Sequence, residues 1–127
     1  MSNNILKRVK EVYKKQNPSF FVKNINKKKE IQEIIQSRKK FLMNLKLPER
    51  VFAEADLLDL GCGSGQNSLV YDTMNSNCDL VEYEKNSLQN AKNLFKKYGK
   101  NKYRFFNQDI FKFKKKKLYD FVVSNGV

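Results

Sequence analysis

Leu57-Leu58-Asp59-Leu60-Gly61-Cys62-Gly63-Ser64-Gly65-Gln66-Asn67 constrains this chain more than any other stretch: an apolar run leads into three closely spaced glycines and a helix start. A strand feeding a glycine-rich turn and a helix offers backbone N–H groups and little side-chain bulk at one point. In α/β sheets that point binds nucleotide-like ligands. The continuous apolar run Leu57 to Leu60 predicts a central parallel strand buried on both faces.

Downstream, strand and helix signals alternate. Gln66 to Met74 predicts a helix and Cys78 to Tyr83 a second strand. Asn86-Ser87 offers an N-cap for a helix with Leu88, Ala91, Leu94 and Phe95 on one face, ended by Gly99. Tyr103 to Phe106 and Tyr119 to Val123 predict the third and fourth strands, joined by a connection whose lysine run, Lys114 to Lys117, reads as a solvated loop. With the strands ordered 3-2-1-4, this connection must cross about three strand spacings, roughly 14 Å, well within reach of an extended chain. The expected fold is α/β, a doubly wound Rossmann-like parallel sheet with N-terminal helices and without its C-terminal strands. Because the sequence stops directly after the fourth strand, that strand is expected to keep one unpaired edge. Either a truncated polypeptide or a partner that supplies the missing edge would account for it.

Upstream, Ile5 to Lys15 has the apolar spacing of a short amphipathic helix, broken by Asn17-Pro18-Ser19. Phe20-Phe21-Val22 is an apolar patch that must pack on something or serve a partner. A second helix is predicted from about Lys28 to Leu45, stopped by Pro48. Both helices are expected to cap the sheet, giving a basic helical segment over residues 1–50 and a ligand-binding domain over residues 51–127.

Charge separates these two parts. Residues 1–50 hold 14 Lys/Arg against four Asp/Glu, a net +10 of the chain's +13, while residues 51–127 hold 12 against nine. The excess suits nucleic-acid contact through residues 1–50, but a lysine- and asparagine-rich bias also arises from A/T-rich coding, and arginine occurs only four times. Two cysteines and no histidine leave no Cys/His metal site. The chain has no apolar run long enough to span a membrane and no basic-then-apolar leader, so a soluble, cytoplasmic protein is expected.

The glycine loop can be tested on spacing. A P-loop needs Gly-Lys-Ser/Thr after its first glycine, and none follows. The dinucleotide pattern G-x-G-x-x-G needs a glycine where Gln66 stands. What survives is Asp59, the loop, and Glu84 about 20 residues on, where a carboxylate can accept both hydroxyl protons of a ribose.

These residues resemble class I S-adenosylmethionine-dependent methyltransferases over positions 56–127. Asp59-Leu60-Gly61-Cys62-Gly63-Ser64-Gly65 is similar to the family's first motif. Val81-Glu82-Tyr83-Glu84 with Ser87-Leu88 and Ala91 resembles the second, in which a strand-ending acid holds the ribose. Gln108-Asp109-Ile110 resembles the third-strand motif, whose acid meets the adenine amino group and whose next residue packs on the ring. Tyr119 to Val127 resembles the fourth-strand segment bordering the methionine end. The resemblance implies S-adenosyl-L-methionine as cofactor, held by Asp59, Gly61, Cys62, Gly63, Gly65, Glu84, Asp109, Ile110 and Asn125. Beside it, the residues alone put Glu82, which alternates with Glu84, at the surface and make Asp120 structural. The two prolines that amino-directed members carry after the fourth strand are absent from Asn125-Gly126-Val127, which argues against that subclass. The acceptor stays unassigned. A second reading is a non-catalytic methyltransferase-like module that binds a partner or nucleic acid through its basic N-terminus and its open edge.

Overall fold

The computed structural model describes residues 27–115 and 117–124. The expected helix over Ile5 to Lys15, the Phe20-Phe21-Val22 patch and Asn125 lie outside them.

Helix α1 (Lys28–Asn44) turns Ile31 and Leu42 inward on a helical period, with Ile34 and Ile35 beside them. Its chain leaves through Lys46 in the left-handed region and Pro48, which cannot continue a helix. A short 3-10 turn (Glu49–Phe52) then buries Phe52. From there the chain alternates: β1 (Asp56–Leu60), α2 (Gln66–Thr73), β2 (Asn77–Val81), α3 (Lys85–Tyr98), β3 (Tyr103–Phe106) and β4 (Phe121–Val123).

All strand pairs are parallel and the order is β3-β2-β1-β4, the predicted arrangement. Leu57 stands opposite Cys78 and Phe121, and Cys78 opposite Tyr103, so one face of the sheet is apolar across its whole width. The three helices cover this face. Phe52 stacks at 4.8 Å on Phe121 and 5.2 Å on Tyr71, and Phe95 of α3 meets Tyr103 at 5.0 Å. Truncating a buried aromatic such as Phe95 costs about 3–5 kcal/mol. On the other face, Leu58 and Val81 are buried although no helix lies there among the described residues; the β3–β4 connection crosses it. Tyr119 donates to Asp79 at 2.6 Å, Arg104 grips the same carboxylate with two hydrogen bonds, and Phe113 packs on Phe106.

The boundaries differ from the sequence expectation at the carboxyl end of β2. The strand stops at Val81, before Tyr83, and α3 begins at Lys85 with Glu84 as its N-cap, so Asn86-Ser87 is not the cap. The Glu84 carboxylate accepts from the Ser87 N–H at 2.7 Å and from its hydroxyl at 3.0 Å, satisfying an amide that the first helical turn leaves unpartnered. At the other edge, β4 begins at Phe121, two residues after the expected Tyr119, because the Tyr119 hydroxyl is turned to Asp79.

Candidate functional site

The carboxyl end of β1 is the centre of the site. Gly61 and Cys62 both donate their N–H groups to the Val81 carbonyl, at 2.9 and 3.0 Å, which folds the loop over the end of β2. Gly63 and Gly65 have φ of +58° and +82°, a region that β-carbon-bearing residues rarely adopt. At Gly65 a β-carbon would also sit 2.9 Å from that of Ala91, so the glycine allows α2 to start against α3. At Gly63 nothing lies within 4 Å of such an atom: the loop there borders open space.

Two carboxylates stand at the carboxyl ends of β1 and β2. Asp59 is buried at the end of β1, and its Oδ2 accepts from the Ser68 hydroxyl at 2.6 Å. Its Oδ1 is buried with no hydrogen-bond partner among the described residues, as is Oε1 of Gln66 at the start of α2. Burial raises the Asp59 carboxyl to about 6; the Ser68 hydrogen bond opposes this, the Glu82 charge adds to it, and the Arg38 charge opposes it. Glu82 follows β2, and its carboxylate bridges two amides, Gly63 N–H at 3.0 Å and Glu84 N–H at 2.8 Å. It braces the glycine loop from the neighbouring strand. A carboxylate has about four acceptor positions, so two remain for a ligand.

Beyond β3, Asp109 opens a turn: its carboxylate accepts from the Phe111 N–H at 2.9 Å, and Ile110 beside it is half-buried. Cys62 is buried within the loop, its thiol pushed up by burial and by the Asp59 and Glu82 charges, so it stays protonated at neutral pH. A strand end with a glycine loop, buried acids and open space beside Gly63 can hold a hydroxylated, cationic ligand. No group of three or more Cys, Asp or Glu is placed to hold a metal ion among the described residues.

The sequence profile of a family described as a methyltransferase domain matches residues 51–127. The chain belongs to this methyltransferase-domain family. No curated protein matches it in sequence. Among solved structures it is similar to magnesium protoporphyrin IX methyltransferase from Synechocystis PCC 6803 with bound SAM, at 18% identity and a TM-score of 0.61, over 93% of this chain and 60% of that one. It is also similar to an S-adenosylmethionine-dependent methyltransferase from Clostridium acetobutylicum ATCC 824, at 19% identity and a TM-score of 0.55, over 94% of this chain and 43% of that one. At these identities the likeness is one of fold, and the chain spans about half the length of these two neighbours.

Within this methyltransferase domain, the expected residues Asp59, Gly61, Cys62, Gly63 and Gly65 come together in one loop. Asp109 and Ile110 follow β3 and form the turn on the far side of β2. The Glu84 carboxylate caps the start of α3 through one of its oxygens. The acid facing the glycine loop is Glu82, which the sequence reading left on the surface. Arg38 of α1, whose charge acts on Asp59, was also missed: 21 residues separate the two and no local pattern links them. Asp120 is structural, as expected: its carboxylate accepts from the Asp56 N–H at 2.8 Å and aligns β4 with β1.

Proposed function

We propose that this methyltransferase domain binds S-adenosyl-L-methionine at the carboxyl end of β1 and carries out the cofactor side of methyl transfer to an acceptor. The carrying observation is the buried, unpartnered Oδ1 of Asp59, in the strand that leads directly into the glycine loop. A buried acceptor left unsatisfied costs about 1–3 kcal/mol, and a ligand ammonium removes that penalty. The cofactor's amino-acid part supplies such a group, and the bare glycine backbone supports its close approach.

In this proposal Asp59, with Gln66, holds the ammonium, and Glu82 takes the ribose hydroxyls through its remaining lone pairs. Glu84 holds α3 in place. Asp109 meets the adenine amino group and Ile110 packs on the ring, while Gly61, Cys62 and Gly65 shape the loop. Asn125 borders the methionine end. The cofactor supplies an electrophilic methyl group on a sulfonium; the chain's own part is to orient and shield it, which needs no histidine. A cytoplasmic location, nucleic-acid contact through residues 1–50 and association along the edge of β4 complete the proposal. No described helix is long and apolar enough to cross a membrane.

Isothermal titration with S-adenosylmethionine and its demethylated product tests the reading. We expect heat and thermal stabilisation with both. Glu82→Gln should lower affinity about tenfold, as loss of a hydrogen bond to a charged group would, whereas Glu84→Gln should lower the melting temperature and change affinity far less. A folded chain that shows no response to either ligand overturns the proposal.

A further inference from the structure

The net +3 of residues 51–127 hides a sharp segregation. Residues 51–91 contain one basic residue, Lys85, and seven acids; residues 92–117 contain eleven Lys/Arg and a single acid, Asp109. A uniform coding bias does not produce this. Asparagine, which such a bias also enriches, occurs five times in residues 51–91 and three times in residues 92–117. Lysine rises and the acids fall while asparagine keeps its share.

The fold gathers the basic stretch around one edge of the sheet. Among the described residues β3 is an edge strand, paired only with β2. The end of α3 is fixed against it by Phe95, whose ring meets Tyr103 at 5.0 Å and Phe105 at 5.8 Å. Buried Asp72 pins the α3–β3 turn by accepting from the Lys100 and Asn101 amides, both at 2.9 Å. The chain after β3 is held alongside by the Phe106–Phe113 contact at 5.3 Å. Lys96, Lys100 and Lys102 are exposed at the end of α3 and the turn into β3, and Lys112, Lys114 and Lys115 are exposed on the connection that leaves β3. None of the six forms an ion pair among the described residues. The one local acid, Asp109, faces its own turn at the Phe111 amide. Arg104 and Lys117 differ: both reach Asp79 and tie the connection down.

We infer that the β3 edge is a docking surface for the phosphate backbone of single-stranded nucleic acid. A row of unpaired ammonium groups concentrates phosphates and gains free energy by counterion release. Phe111 is 61% exposed on the same connection and gives an unstacked base a ring to rest on. Phe111 and Lys112 lie two and three residues after Asp109, so a strand bound to the connection runs up to the candidate site. This inference rests on charge and topology and does not need the cofactor reading.

The test uses the full chain and a fluorescently labelled single-stranded RNA of mixed sequence, with binding followed by anisotropy at several potassium chloride concentrations. The wild-type chain should bind with a steep salt dependence. Replacing three lysines together (K102Q, K114Q and K115Q) should lower affinity at least tenfold and reduce the slope of log K against log salt by about 2, at about 0.7 per lost phosphate contact. Phe111→Ala should weaken binding about tenfold with the slope unchanged, as loss of a stacked base does. Circular dichroism melts check that each variant folds, and cofactor titrations report the candidate site separately. Lys7, Lys10 and Lys14 changed to Gln give a charge-matched comparison that reads the contribution of residues 1–50 separately. The inference is overturned if the edge variant binds like wild type, if only the N-terminal variant loses binding, if no RNA binds, or if phosphatidylserine vesicles are bound in preference to RNA.

Discussion

At Asp59 a carboxylate stands where the fold excludes water, with one oxygen on Ser68 and the other unpartnered. Its folded value, about 6, lies above the ordinary 3.8, so the folded state holds its proton more tightly than the unfolded chain does. The sign follows: this group's contribution is fully present below pH 3.8 and is lost as pH rises through about 6, a difference of about 3 kcal/mol across the window. Asp59→Asn removes the charge. By urea unfolding, the variant should match wild type near pH 4 and be more stable at pH 7.5, by up to about 3 kcal/mol. Binding runs the other way. A ligand ammonium favours the ionised carboxylate, so affinity for S-adenosylmethionine should fall as pH drops below about 6, with protons released on binding in that range. Asp59→Asn should bind at least about tenfold more weakly with a flat profile. A wild-type affinity in that variant would separate Asp59 from the ligand. The glycines give a second contrast at this scale. Gly65→Ala meets both a strained φ and the Ala91 side chain at 2.9 Å, and should cost about 2–3 kcal/mol; Gly63→Ala meets strain alone, about 1 kcal/mol, but fills the space beside the loop. Thermal melts should show the first as the less stable and titrations the second as a weaker binder.

The elements carry the lesson of Glu82 and Glu84. Val81-Glu82-Tyr83-Glu84 alternates like a strand, so the sequence reading runs β2 to Tyr83 and looks for the functional acid at the end of that run. In the fold, pairing stops at Val81, although the Glu82 amide still reaches the Phe106 carbonyl at 3.0 Å. That shift turns Glu82 towards Gly63 and leaves Glu84 to cap α3. Asn ranks above Glu as a cap, so Asn86 was the natural choice; only the geometry shows that Glu84 reaches the Ser87 amide first. Glu84→Ala should therefore cost about 1 kcal/mol of stability, read by urea unfolding. The strand order was legible because β1 and the glycine loop leave few arrangements open. The fastening of the β3–β4 connection was not, since Asp79 and Tyr119 meet across 40 residues. Burial alone would push the Asp79 carboxyl up, but hydrogen bonds from Arg104 and Tyr119, with the Arg104 and Lys117 charges, hold it below the ordinary range. Its contribution is therefore present above about pH 4 and is lost as pH falls below that, opposite in sign to Asp59. Tyr119→Phe removes one of these hydrogen bonds and should cost about 1.5 kcal/mol. Amide exchange in β4 should quicken more than in β2, which other strands cover on both sides.

At the scale of the whole molecule, the same lysines that suit a polyanion repel one another in its absence. The chain carries a net charge of +13, and 11 of its 26 basic residues fall within residues 92–117. The field between exposed charges reaches about 30 Å at 0.01 M salt and about 8 Å at 0.15 M. The repulsion along the β3 edge is therefore largely unscreened at low salt, whereas the pair between buried Asp79 and Arg104 is weakened far less by added ions. Two opposing outcomes follow from these magnitudes. If repulsion dominates, the melting temperature should rise as potassium chloride is raised from about 0.01 to 0.15 M, by about 4 °C for roughly 1 kcal/mol in a chain of this size. Changing Lys114 and Lys115 to Gln should give part of that gain at low salt and almost none at high salt, because the charges removed are those that the salt would screen. A melting temperature that falls with salt would mean instead that ion pairs outweigh repulsion, and that the basic edge is already balanced within the fold.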